Sequence, residues 1–190
     1  MQSSVKQPEA MICVFAGSSA GHDPQLAETV KQFGRMMAAR NIGLVYGGGR
    51  TGLMGAIADG VIEGGGYTVG IIPKFLENIE IAHQGLSELV ITDSMHERKS
   101  RMYDLADRFI VLPGGYGTME EMFEVITWCQ LKLMQKPITL FNYEEFWSPM
   151  LTMINLSSEA GFIRPYQLGL VDVRDNLDAL ADMLEQPENP

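Results

Sequence analysis

Pro113-Gly114-Gly115-Tyr116-Gly117-Thr118-Met119-Glu120-Glu121 joins an apolar run, Phe109-Ile110-Val111-Leu112, to a segment in which Met122, Val125, Ile126 and Cys129 recur at helical spacing. The glycines therefore fall at a strand-to-helix turn. Such a turn presents unpaired backbone N–H groups at the positive end of a helix, and without a Cβ nothing blocks an approaching anion, so phosphate is the natural occupant. Glu120 and Glu121 stand immediately behind. A phosphate seat backed by carboxylates suits chemistry on a nucleotide or sugar phosphate. The same residues also fit a structural device, the capping box, in which Thr118 caps the helix and Glu121 reaches back to the capping residue's own N–H. The motif alone leaves both readings of Glu121 open.

A second cluster bears on the choice. In Ser94-Met95-His96-Glu97-Arg98-Lys99-Ser100-Arg101-Met102, residues Met95, Arg98, Met102 and then Leu105 follow helical spacing, which puts a guanidinium on the stripe that otherwise faces a core. Burying an unpaired arginine is far too costly, so Arg98 needs an anionic partner, either a carboxylate or a ligand phosphate. A structural ion pair and a ligand contact satisfy that demand equally. The helix carrying Arg98 immediately precedes the strand that leads into the glycine turn, so Arg98 can reach the pocket of Glu121.

The remaining elements must position these two clusters. Short strands are expected at 11–15, 42–46, 67–72, 89–92, 109–112, 137–141 and 170–173, and helices through Leu26 to Met37, Leu53 to Ile62, then at 95–105, 118–134, 143–156 and 176–184. Segment 74–85 lacks clean periodicity and reads as a loop. Alternating strands and helices of this kind predict a Rossmann-like, doubly wound α/β fold with a mainly parallel sheet and helices on both faces. Its ligands gather beyond the carboxyl ends of the strands. Residues 11–185 form one nucleotide-binding domain in this reading, with a loose polar tail at 1–10 and a frayed end at 186–190.

Three glycine-rich turns follow strands and open on the same sheet edge, so they can build one pocket, to which Gly17, Ser18, Gly47, Gly48 and Thr51 are candidates alongside the central motif. Gly47-x-Gly49-x-x-Gly52 spells the dinucleotide fingerprint, yet the next strand ends Ile71-Ile72-Pro73-Lys74 with no acid to hold a ribose. The turn suits a mononucleotide or close helix packing better. There is no P-loop sequence, and His22, His83 and His96 lack metal-ligand spacing, so no metal and no cofactor is expected.

Composition narrows the partners. A net charge of -10 argues against broad binding to nucleic acid or to anionic membrane. Cys13 and Cys129 both lie in apolar runs, which suits core packing and a reducing cytoplasm rather than a disulfide scaffold. No run approaches membrane-spanning length, and the first ten residues have no apolar core of the secretory kind.

Met95-His96-x-Arg98-Lys99 followed by Pro113-Gly114-Gly115-x-Gly117-Thr118-x-x-Glu121 closely resembles the LOG family, the cytokinin riboside 5′-monophosphate phosphoribohydrolases, many of which have been labelled lysine decarboxylases. The likeness extends to Gly17-Ser18-Ser19, Tyr46-Gly47-Gly48-Gly49 and Glu124-Val125-Ile126-Thr127-Trp128, and so covers about 12–141. None of these residues speaks for a decarboxylase. The resemblance implies hydrolysis of the N-glycosidic bond of a purine nucleoside 5′-monophosphate, AMP or an adenine-modified nucleotide, to free base and ribose 5-phosphate. It makes Arg98 and Glu121 the catalytic pair, and gives substrate contacts to Lys99, Gly114, Gly115, Tyr116, Gly117, Thr118, Met119, Glu120 and Thr127, with Glu80 matching a further family glutamate. It also implies a homodimer with residues of both subunits near each pocket. The rival reading is a non-catalytic carrier of a nucleotide or of the molybdenum cofactor, a function associated with a related fold.

Overall fold

The structure, a computed structural model, describes residues 7–76 and 82–185. Seven strands form one sheet: β1 (Ala10–Phe15), β2 (Ile42–Tyr46), β3 (Thr68–Pro73), β4 (Glu88–Thr92), β5 (Arg108–Val111), β6 (Ile138–Phe141) and β7 (Val171–Arg174). They lie in the order β4-β3-β2-β1-β5-β6-β7, and every neighbouring pair is parallel. The chain winds outward from β1 in one direction and from β5 in the other. The crevice where the direction reverses therefore opens between the ends of β1 and β5, where such sheets bind ligands.

Among the described residues, six helices cover the sheet: α1 (Pro24–Ala39), α2 (Gly52–Glu63), α3 (Met95–Leu105), α4 (Tyr116–Gln130), α5 (Ser148–Glu159) and α6 (Leu177–Asp182). Alternation along β1 shows how one strand serves two cores. Ile12 and Val14 point into a core with Val30 and Phe33 of α1, Ile57 of α2 and Leu180 of α6. Cys13 and Phe15 point the other way, into a core with Met102 and Tyr103 of α3 and Met122 and Val125 of α4. The two cysteines are free thiols, and burial drives the pKa of Cys13 upward, as a core residue requires. The helix pair α1/α2 packs backbone to backbone: a Cβ on Gly60 would lie 2.0 Å from the Lys31 carbonyl oxygen.

Several boundaries differ from those expected. Ala10 already belongs to β1, and the Glu9 N–H donates to the Asn41 carbonyl at 2.9 Å, so the sheet reaches into the segment read as tail. The helix expected at 118–134 starts two residues earlier, with Gly115 as its N-cap, and ends at Gln130, where Lys132 takes a positive φ of 59°. The helix expected at 143–156 is broken. A 3-10 turn at Tyr143–Glu145 precedes α5, because Glu144 and Glu145 both have positive φ and Pro149 fits only the first turn of a helix. A second 3-10 segment, Pro165–Leu170, was not foreseen. Within segment 74–85, Ala82 bridges Gly49 and the His83 N–H donates to the Gly48 carbonyl, which pins the loop's end to the second glycine turn.

Candidate active site

The three glycine turns meet at the crevice through their backbones. The Gly17 N–H donates to the Pro113 carbonyl at 3.1 Å, while the Gly17 carbonyl accepts from the N–H groups of Leu53 and Met54 at the start of α2. There is no room for side chains at this junction. A Cβ on Gly17 would lie 3.3 Å from the Cα of Gly114, and one on Gly114 would strike the Thr118 hydroxyl at 2.1 Å.

Helix α4 begins against this junction with Gly115 as N-cap and no side-chain cap. Thr118 is the third residue of the helix and 4 % exposed, so it cannot cap it, and Glu121 lies one turn further in than a capping box requires. Thr118 and Glu121 therefore form no capping box. The reason is local: glycine at 115 takes an extended conformation (φ -98°, ψ -153°) that starts the helix early. A Cβ added at Gly115 or Gly117 would meet nothing within 4 Å, so the helix start faces open space.

Helix α3 brings in the cation. Ser94 caps it by accepting from the Glu97 N–H at 3.1 Å, and the Glu97 carboxylate accepts in return from the Asp93 N–H at 3.0 Å. Arg98, one turn in and 5 % exposed, donates through Nη2 to the Gly47 carbonyl at 2.9 Å. This explains the glycine. A Cβ on Gly47 would lie 2.0 Å from Nη2. Arg98 and Glu121 line one cleft of about 270 Å³, together with Gly17, Ser18, Gly115, Tyr116, Gly117, Thr118 and Glu120. Both charges also act on the buried Cys13 thiol, whose pKa is raised first by burial and then by Glu121, and lowered by Arg98.

Lys99, the neighbour of Arg98, turns the other way. Its Nζ lies 2.6 Å from Glu120 Oε1 and 2.9 Å from Glu124 Oε2, and the Tyr103 hydroxyl donates to the same Glu124 carboxylate. Burial alone lowers the Lys99 pKa, but hydrogen bonds to Glu120 and Glu124 outweigh it and hold the ammonium above its ordinary range. Burial and then the Glu124 carboxylate push Tyr103 upward too.

Not every candidate residue comes to the cleft. Gly47 does not line it and acts only through its carbonyl, which holds Arg98, and Gly48, at φ +79°, binds the loop end instead. Thr51 is the exposed N-cap of α2 and does not line the cleft. Met119 packs against the core beneath α3 and α4. Thr127 donates to the Phe123 carbonyl at 2.7 Å and lines a different groove of about 370 Å³ between α4 and α5. Glu80 lies outside the described residues. Gly114 borders an adjoining, larger cavity of about 530 Å³ that shares Gly17, Ser18 and Gly115 with the cleft. Across it the Tyr143 hydroxyl donates to Asp23 at 2.8 Å. Nothing in the sequence ties those two distant positions together. Ala16, Met54 and Leu76, which also line the cleft, were not foreseen.

Among the described residues, no group of three or more His, Cys, Asp or Glu side chains is placed to hold a metal ion, and no helix is long and apolar enough to cross a membrane. Fold and cleft together define a Rossmann-like protein whose crevice brings together an unblocked helix start, an arginine and a glutamate.

The comparisons narrow this class. The family described as "Possible lysine decarboxylase" matches residues 54–184. The chain is similar to the cytokinin riboside 5′-monophosphate phosphoribohydrolase LOG7 of Arabidopsis thaliana, at 43 % identity over 177 residues, covering 93 % of this chain and 82 % of that one. It is also similar to Arabidopsis LOG1, at 46 % identity over 154 residues (81 % and 72 % of the two chains), and to the probable phosphoribohydrolase LOGL2 of Oryza sativa subsp. japonica, at 41 % over 175 residues (92 % and 72 %). Among solved structures, the molybdenum cofactor carrier protein of Chlamydomonas reinhardtii superposes with a TM-score of 0.70 at 19 % identity, over 95 % of this chain and 98 % of that one. The molybdenum cofactor binding protein of Rippkaea orientalis does so with a TM-score of 0.67, also at 19 %, over 96 % and 98 %. At such identity these two speak for the fold alone. The chain belongs to the LOG family.

Proposed function

We propose that the protein is a phosphoribohydrolase that cleaves the N-glycosidic bond of a purine nucleoside 5′-monophosphate, an adenine or N6-modified adenine nucleotide, to free base and ribose 5-phosphate. The observation that carries the proposal is the convergence of Arg98, Glu121 and the uncapped start of α4 on one cleft. The backbone N–H groups of the first turn of α4 hold the 5′-phosphate, aided by the helix dipole. As the bond between C1′ and the purine nitrogen lengthens, positive charge grows on the ribose, and an ionised Glu121 steadies it more in the transition state than in the ground state. Water adds its oxygen to C1′, the bonding pair leaves with the base, and the proton released by the water, taken up by Glu121 or passed directly, ends on the departing purine, which leaves as the neutral base. Arg98, tethered by the Gly47 carbonyl, presents its charge to the same space.

Chromatography of AMP and an N6-alkylated AMP incubated with the pure protein tests this directly. Released base supports it; a nucleotide bound and returned intact favours the carrier reading, whose support here is a fold shared at 19 % identity. Exposed apolar side chains on α4 and α5, Phe123, Met153 and Leu156 among them, support a homodimer. The free cysteines and acidic balance agree with a cytoplasmic protein.

A further inference from the structure

We propose that Lys99 is a positioning residue, holding the Glu120 carboxylate away from the phosphate seat at the start of α4 rather than gripping the nucleotide itself. The proposal rests on the function above only in taking a nucleoside 5′-monophosphate as the ligand.

The geometry assigns the lysine to the protein's own acids. Its side chain is 9 % exposed and lies between two carboxylates at 2.6 and 2.9 Å, whereas Glu120 is 56 % exposed and Glu124 25 %. The ammonium is therefore the fixed partner, and Glu120 the one with freedom to move. Glu124 is anchored independently. Tyr103 donates to it, and the Tyr103 ring packs edge-on against Trp128, at 5.4 Å between centroids, and against Phe109, at 5.7 Å. A lysine held by an anchored acid can restrain a second acid on the same helix face, four residues nearer the N-terminus.

Glu120 needs restraint because of where it stands. It lines the nucleotide cleft beside Glu121, within two turns of the amides that would receive the phosphate. A loose carboxylate there repels a phosphate dianion and competes with it for the positive end of the helix. Pairing with Lys99 draws the charge of Glu120 to the α3 side and leaves Glu121 as the carboxylate facing the ligand. Arg98 and Lys99, adjacent on α3, thus divide the work: one is directed to the Gly47 turn and the cleft, the other to the flank of α4.

A double-mutant cycle on the intact chain decides it, with Kd for AMP measured by calorimetry and KM and kcat from base release. Lys99→Met should weaken AMP binding about tenfold or more at low salt, the loss falling on Kd and KM more than on kcat. That loss should shrink as salt screens the freed carboxylate. Lys99→Met combined with Glu120→Gln should recover most of the affinity, and Lys99→Arg should retain it. A double variant that binds as weakly as Lys99→Met overturns the proposal, since a lysine gripping phosphate cannot be replaced by neutralising its neighbour. Equal losses in kcat and affinity with a lowered Tm, unrelieved by Glu120→Gln, overturn it in favour of a merely structural lysine. Failure of the unaltered protein to release base would refute the phosphoribohydrolase function alone, because the binding cycle requires no turnover.

Discussion

Glu121 and Arg98 face the same cleft but sit there for different reasons, and their substitutions should separate accordingly. Glu121→Gln keeps the shape and removes the charge, so AMP binding should persist while turnover falls at least about a hundredfold, the scale of a lost acid–base or electrostatic group. Near-normal adenine release by that variant would remove Glu121 from the mechanism. Arg98 is tested most cleanly through its tether. A methyl group at Gly47 would occupy space 2.0 Å from Nη2, so Gly47→Ala should displace the guanidinium and cut kcat by about tenfold or more, with every charge retained. Unchanged kinetics in Gly47→Ala would show that the position of Arg98 does not matter to catalysis. Helical spacing had already placed Arg98 on a buried stripe. Its carbonyl partner was illegible, because the β2 turn and α3 are brought together only by the sheet, and no local pattern records a contact between residues so far apart in the chain.

Elements show the same division between local and distant information. Strands buried on both faces read as continuous apolar runs, which is why β2, β3, β5 and β6 stand out, whereas the partly exposed edge strands β4 and β7 show only as short apolar stretches between turns. The start of α4 was misplaced because Thr118-x-x-Glu121 satisfies a capping pattern, while the glycine that does the capping leaves no side-chain signal. The break before α5 depends on two glutamates at positive φ, a conformation that sequence rarely announces. The pairing of α1 with α2 yields a prediction of its own. Gly60 is pressed against the Lys31 backbone, so Gly60→Ala must part the helices although alanine is the better helix former. Overpacking against backbone costs about 1–3 kcal/mol, so Tm should fall by roughly 2–12 °C for a chain of this size. An unchanged or higher Tm would show that helix propensity outweighs the contact. The α3/α4 staple makes a further prediction through pH. Because the Lys99 pKa is raised in the folded state, its contribution to stability is complete below its unfolded value, about 10.5, and is lost as pH rises through the folded one. Denaturant midpoints should therefore fall less steeply above the ordinary lysine range in Lys99→Met than in the unaltered protein; parallel curves would deny this α3/α4 contact a net stabilising role.

At the scale of the whole molecule, the candidate cleft lies at one edge of the sheet, while among the described residues α4 and α5 leave apolar side chains exposed. Helix α4 serves both: its first turn faces the cleft, and Phe123 and Thr127 border the groove beside α5. On α5, Met153 is 54 % and Leu156 57 % exposed, apolar side chains that a second copy could cover. Burying each such side chain against a second copy is worth roughly 1.5–3 kcal/mol, so a few of them can outweigh the cost of association. Within one chain Thr127 lies outside the cleft, so a role in substrate binding would require a neighbouring subunit to bring it near another's site. Leu156→Glu places a charge on the exposed side of α5, away from the cleft and on a helix with no fully buried residue. Light scattering should report twice 21.0 kDa for the unaltered protein and a shift toward 21.0 kDa for the variant, with circular dichroism unchanged. If the variant keeps the mass of the unaltered protein, the dimer forms through another surface; if it becomes monomeric and turnover falls while Arg98 and Glu121 are intact, each site depends on the partner subunit.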